Sequence, residues 1–99
     1  MKKGLDKNGI IDRLKESRDE LKKYGTVRIG LFGSYLKGEQ KGRSDIDFLV
    51  VLDENTFDNY FGLWAFLEKV FAKKIDLVIE KGLKPELNSV KEEAIYVEV

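Results

Sequence analysis

Gly33-Ser34-Tyr35-Leu36-Lys37-Gly38-Glu39-Gln40-Lys41-Gly42-Arg43-Ser44-Asp45-Ile46-Asp47 is the stretch on which the reading of this chain turns. It opens with a Gly-Ser pair directly behind an apolar run and closes, ten residues later, with two aspartates separated by one isoleucine. A strand that enters a helix through Gly-Ser faces backbone N–H groups outward with a helix dipole behind them, which favours an anion such as phosphate. The glycine admits close approach to the backbone and the serine adds a hydroxyl. Taken alone the pair is equally an ordinary turn, since Gly-Ser commonly punctuates turns.

Upstream, Thr26 to Phe32 is β-branched and apolar except for Arg28, and reads as a strand ending at Gly33. Ser34 to Lys37 can start a short helix that Gly38 stops, and Gly38 to Ser44 is a polar loop. Asp45 to Leu52 reads as a second, mostly buried strand. Side chains alternate along a strand, so Asp45 and Asp47 point the same way, roughly 6 to 7 Å apart along the backbone. Ile46, Phe48, Val50 and Leu52 point the other way, into a core. Two carboxylates side by side repel each other, and their placement requires a compensating cation or an exposed strand end.

Lys73 to Ile79 reads as a third strand in which Asp76 and Val78 oppose Ile75, Leu77 and Ile79. If it lies beside the second strand, Asp76 joins Asp45 and Asp47. Three carboxylates converging on an oxygen-only site suit Mg²⁺, which takes one or two protein carboxylates plus water and phosphate oxygens. One or two such ions, about 3.5 to 4 Å apart if paired, can activate an attacking oxygen and stabilise a departing pyrophosphate.

The flanks read as scaffold. From Asn8 to Tyr24, Ile10, Leu14, Leu21 and Tyr24 recur at helical spacing with Ser17 on the same stripe; Asn8 is the expected N-cap and Gly25 the C-cap. Asp12, Glu16, Asp19 and Glu20 balance the basic residues of this helix, which argues against a nucleic-acid surface. Thr56 or Asn55 can cap a further helix from Phe57 to about Ala72. Its apolar side chains span an arc of roughly 220° at helical periodicity, more than one sheet face needs. That excess either wedges the helix deeply into the fold or leaves an aromatic surface for a protein partner. The end of the chain, with Pro85 near a helix start and Leu87, Val90 and Ile95 as its apolar points, reads as a short helix followed by an extended tail.

The 99 residues form one expected domain, 1–99, burying roughly 60 to 70% of the unfolded surface. Eighteen basic residues cancel 18 acidic ones, so nucleic acid is not the expected direct partner. Cysteine and histidine are absent, which excludes disulfides and thiolate metal sites and leaves carboxylates as the natural proton acceptors. The charged start, Met1 to Asp6, lacks the apolar core of a signal peptide, and no apolar run approaches membrane-spanning length. No membrane partner is expected, and the expected location is cytoplasmic.

The pattern Gly33-Ser34, ten residues, Asp45-Ile46-Asp47 and a later strand bearing Asp76 resembles the signature of the DNA polymerase β-type nucleotidyltransferase superfamily. The short length makes the chain similar to its minimal nucleotidyltransferases, antitoxins encoded beside a HEPN-domain toxin. The resemblance covers Ile29 to Ile79. It implies an α/β (α+β) fold, a small mixed β-sheet with helices packed on it. Residue by residue, it implies that Gly33 and Ser34 bind the triphosphate, that Asp45 and Asp47 bind metal, and that Asp76 is the third acidic residue, a ligand and a candidate base. Lys37 stands where relatives often place a basic residue, which implies phosphate contact. The implied chemistry is Mg²⁺-dependent transfer of AMP from ATP to a hydroxyl, a tyrosine of the HEPN partner. Two alternatives remain at this point: an inactive antitoxin acting by direct binding, and transfer to a small molecule or an RNA end.

Overall fold

Alternation in three apolar runs and a fourth at the end of the chain builds a four-stranded sheet in the computed structural model, which describes residues 5–99. The first four residues of the charged start lie outside the described residues. The strands are β1 (Thr26–Phe32), β2 (Ile46–Leu52), β3 (Ile75–Ile79) and β4 (Ile95–Glu98), in the order β3-β2-β1-β4. β1 pairs antiparallel with both β2 and β4, while β2 and β3 run parallel, so the sheet is mixed. A parallel pair needs a crossover connection, and α4 (Phe57–Phe71) supplies it.

One face of the sheet carries Ile29 and Leu31 of β1, Ile46, Phe48 and Val50 of β2, Ile75 and Leu77 of β3, and Val97 of β4, all buried. Helices cover it: α1 (Lys7–Glu16) with Ile10 and Leu14, α2 (Arg18–Lys23) with Leu21, and α4 with Leu63, Leu67 and Phe71. The opposite face bears Arg28, Asp47, Leu49, Asp76 and Tyr96. There Arg28 stacks over the Tyr96 ring at 4.3 Å and pairs with Glu80 at 3.0 Å, tying the chain beyond β3 back to β1 and β4.

The expected single helix from Asn8 to Tyr24 is two helices. Ser17 leaves helical geometry, its N–H shared between the carbonyls of Arg13 and Leu14 at 3.1 Å each. The bend keeps Leu21 in the core and lets the Arg18 guanidinium donate to the Glu98 carbonyl at 3.0 Å. The N-cap is Asp6 rather than Asn8; its carboxylate accepts from the Gly9 N–H at 2.9 Å. Asp45 lies one residue before β2, and β3 begins at Ile75 rather than Lys73. The terminal tail, expected only as extended, is β4, an edge strand of the sheet, after a short α5 (Asn88–Glu93).

The wide apolar arc of α4 divides into three uses. Leu63, Leu67 and Phe71 enter the core. Tyr60 and Trp64 cover the edge of β3: the phenol donates to the Leu77 carbonyl at 2.6 Å and the indole N–H to the Ile75 carbonyl at 3.1 Å. These are alternate residues of an edge strand, so both side chains satisfy acceptors that no neighbouring strand can reach. Phe57 and Phe61 remain, 80% and 47% exposed.

Leu67→Ala, which empties a fully buried position between α4 and the sheet, is expected to cost about 2 to 5 kcal/mol in denaturant unfolding. Trp64→Phe, which removes the edge hydrogen bond together with part of a partly buried ring, is expected to cost less, about 1 to 2 kcal/mol. Equal losses would show that the edge cap and the core do not divide the helix in this way.

Candidate functional site

The register of the two parallel strands sets Asp47 of β2 beside Asp76 of β3, and the antiparallel register sets Phe32, the last residue of β1, beside Asp47. The residue after Phe32 therefore arrives next to the Asp47 side chain. That residue is Gly33, with φ +77°, a conformation L side chains rarely adopt. A Cβ there would collide with Asp47 Oδ2 and stand 2.9 Å from its Cγ. Glycine is required twice over, by the backbone turn and by the neighbouring carboxylate.

Beyond Gly33 the chain makes one helical turn, α3 (Ser34–Lys37), anchored by the buried Tyr35 and ended at Gly38. The Lys37 N–H bonds to the Gly33 carbonyl at 3.2 Å and the Glu39 N–H to the Ser34 carbonyl at 2.9 Å. A single turn carries little macrodipole, so the dipole expected behind Gly-Ser is small. What the turn does supply is the set of first-turn N–H groups that no helix pairs internally.

Asp47 sits half-buried, and its carboxyl is pushed up to about 6. Burial is the largest cause, followed by the charge of Asp76, a hydrogen bond with Asp76 that requires a proton between the two carboxylates, and the charge of Asp45. Among the described residues every influence on this group disfavours its anion, and none comes from a lysine or arginine. Asp76 is exposed on the β3 edge, and its charge also reaches Tyr60, whose hydroxyl is raised first by burial and then by Asp76.

The fold thus gathers Gly33, Asp47 and Asp76 at one end of the sheet, with Ser34 opening the adjoining turn and Asp45 on the exposed approach to β2. Lys37 is exposed at the end of α3 and lines a hollow with Asp6, Lys7, Asn8 and Gln40, on the side of α1. Among the described residues no three ligand-type side chains are gathered tightly enough to hold a metal ion as they stand. Mg²⁺ asks for less than that, since one or two carboxylates suffice beside water and phosphate oxygens. The Asp47–Asp76 pair is oxygen-only, and among the described residues no lysine or arginine relieves the Asp47 carboxyl, so the pair fits that demand; a turn of the exposed Asp45 side chain would extend it. The position of Tyr60 beside Asp76 had no signal in the sequence, where it counted only as one member of an apolar arc.

A family model described as nucleotidyltransferase domain matches residues 11–97. The chain is 44% identical over 80 residues to the "Putative protein adenylyltransferase MJ1379" of Methanocaldococcus jannaschii, an alignment covering 76% of this chain and 80% of that protein. Among solved structures it is similar to a "putative minimal nucleotidyltransferase", with a TM-score of 0.79 and 32% identity over 95% of this chain and 98% of the other. It is also similar to a chain in the crystal structure of a toxin–antitoxin with AMP-PNP, with a TM-score of 0.64 and 26% identity over 93% of this chain and 72% of that one.

The unfolded Asp47 carboxyl loses its proton near 3.8 and the folded one near 6, so between these values the folded chain holds the extra proton. Stability from this group is therefore greatest below about pH 4 and falls as pH rises to about 6. In chelator-treated protein, Asp47→Asn is expected to flatten that fall and to stabilise the chain at pH 7 by on the order of 1 to 2 kcal/mol, with allowance for solvent screening. Thermal melts across pH test this, and a destabilised Asp47→Asn would contradict it.

Proposed function

This chain belongs to the nucleotidyltransferase domain family, and from that premise we propose that it transfers AMP from ATP to a tyrosine hydroxyl of a HEPN-type toxin and so acts as an antitoxin. The observation that carries the reading is the unrelieved carboxylate pair Asp47–Asp76 abutting Gly33. The Asp47 anion is disfavoured by burial and by its carboxylate neighbours, a bound cation would relieve it, and the adjacent turn offers N–H groups to the phosphates that would share that cation. The likeness to a protein adenylyltransferase, and to a toxin–antitoxin chain crystallised with AMP-PNP, supports the same choice of nucleotide and acceptor class.

In this reading Gly33 and Ser34 hold the triphosphate through backbone N–H groups and the serine hydroxyl, with Lys37 as a further phosphate contact. Asp45, Asp47 and Asp76 hold one or two Mg²⁺ ions. Bound there, Mg²⁺ supplies charge neutralisation at the phosphates and at the departing pyrophosphate. The acceptor oxygen bonds to the α-phosphorus, the bond from that phosphorus to the pyrophosphate oxygen breaks, and the acceptor proton passes to a carboxylate. Asp76, exposed on the sheet edge, is open to an incoming hydroxyl, whereas Asp47 is half-buried. The chain has no histidine to compete for the proton.

A second reading, neutralisation of the toxin by contact alone, is favoured by the exposed and mutually stacked Phe57 and Phe61, whose rings lie 5.6 Å apart and 4° from parallel. The two readings separate in one experiment. With α-labelled ATP, Mg²⁺ and the cognate toxin, wild type is expected to label the toxin, and Asp45→Asn or Asp47→Asn to label it roughly a hundredfold more slowly or less. Replacing the acceptor tyrosine by phenylalanine should abolish labelling. Toxin neutralised equally well by Asp47→Asn, without label, would establish contact alone as the mechanism.

A further inference from the structure

Phe57 is the most exposed large apolar side chain among the described residues, and it is not isolated. Its ring stacks on Phe61, Phe61 meets Tyr60 edge to face at 5.4 Å, and Phe61 also packs at 5.9 Å from Trp64. Between these rings and β3 lies a hollow of about 260 Å³ lined by Asn55, Thr56, Phe57, Tyr60, Phe61 and Ile79. The hollow is too small to enclose a drug-sized ligand and suits a single large side chain.

Two features say what covers it. Tyr60 is shared: its ring forms one wall of the hollow, and its hydroxyl bonds to Leu77 O within reach of the Asp76 charge. Anything seated on the aromatics is thereby adjacent to the carboxylates. The surroundings are also polarised. Glu54 and Asp58 are exposed beside Phe57, whereas beyond Ile79 the neighbouring hollow carries Lys81 and Lys91, together with Glu80, whose charge is engaged by Arg28. A segment lying across the patch meets acid at one end and base at the other, which fixes its direction.

We propose that the Phe57–Tyr60–Phe61–Ile79 hollow is the anchor pocket of the acceptor protein: it takes one apolar or aromatic side chain of that protein and so holds a neighbouring hydroxyl at Asp76. This rests on the transferase reading for the identity of the acceptor, and the docking itself does not. The pocket supplies apolar contact area through rigid aromatic side chains at low entropic cost, the pattern of interface positions where a few residues carry most of the affinity. The chemistry and the docking are then divided between two elements, the ends of β2 and β3 for the first and the outer face of α4 for the second.

The test is a pair of titrations with the cognate toxin as probe, using wild type and the double variant Phe57→Glu/Phe61→Glu. Calorimetry should show at least about a tenfold loss of affinity for the toxin in the variant, and labelling with α-labelled ATP should show a comparable rise in KM for the toxin with little change in kcat. Circular dichroism and melting report whether the variant folds; if it does not, the single variant Phe57→Ser, at a ring 80% exposed and outside the core, replaces it with a loss of affinity still expected, and unchanged affinity would overturn the pocket. Wild type that binds without labelling, with binding lost in the variant, would defeat the transferase reading and leave the anchor pocket standing. Wild type that labels the toxin with the same KM as the variant would overturn the anchor pocket and leave the transferase reading standing. A dimer that becomes monomeric in the variant with unchanged toxin affinity would likewise overturn it, assigning the patch to a second copy.

Discussion

Two like charges held in register are the constraint around which this fold is arranged. Asp47 and Asp76 occupy paired positions on parallel strands, where neighbouring chains run about 4.8 Å apart. Among the described residues no basic side chain contributes to the balance at Asp47. The cost is met by everything beneath them: on the other face Ile46, Phe48, Ile75 and Leu77 are buried under α4, and the strands cannot slip by one residue without turning those side chains into water. Register, core and carboxylate placement are therefore one specification rather than three.

Gly33 couples the phosphate end to the same specification. Because Phe32 is the register partner of Asp47, the turn leaving β1 has to pass the Asp47 carboxylate at van der Waals distance. A side chain at that point would push either the turn or the carboxylate out of place. The Gly-Ser pair and the Asp-Ile-Asp pair are ten residues apart in sequence, and the antiparallel ladder closes that separation to direct contact.

Much of this was legible in the chain because it depends on local periodicity. Strand alternation predicts one face for Asp45 and Asp47, with Asp76 joining them if β3 lies beside β2; the strands do lie side by side and Asp76 meets Asp47, while Asp45 falls just before β2. The bounds of β1 match the apolar run Thr26 to Phe32, and α3 starts and stops at Ser34 and Gly38 as the glycines indicate. What was not legible depends on partners distant in sequence. The bend at Ser17 leaves the stripe of Ile10, Leu14 and Leu21 intact, so periodicity alone could not reveal it. The pairing of β4 with β1 rests on contacts across more than sixty residues. The division of α4 into core, edge cap and open surface could not be read from an arc of apolar residues, because Tyr60 and Trp64 earn their places by hydrogen bonds to Leu77 and Ile75 rather than by hydrophobicity.

A carboxylate pair built to be completed by a divalent cation must respond to that cation, and Asp47 is where the response is read. Carbon-13 NMR titration of the Asp47 carboxyl, with and without millimolar Mg²⁺, tests it most directly. The expected midpoint is near 6 in the absence of the ion, with a clear fall towards the ordinary carboxylate range when Mg²⁺ is added, since an adjacent cation favours the anion. A midpoint already in the ordinary range without metal, or one that Mg²⁺ leaves unmoved, would contradict it.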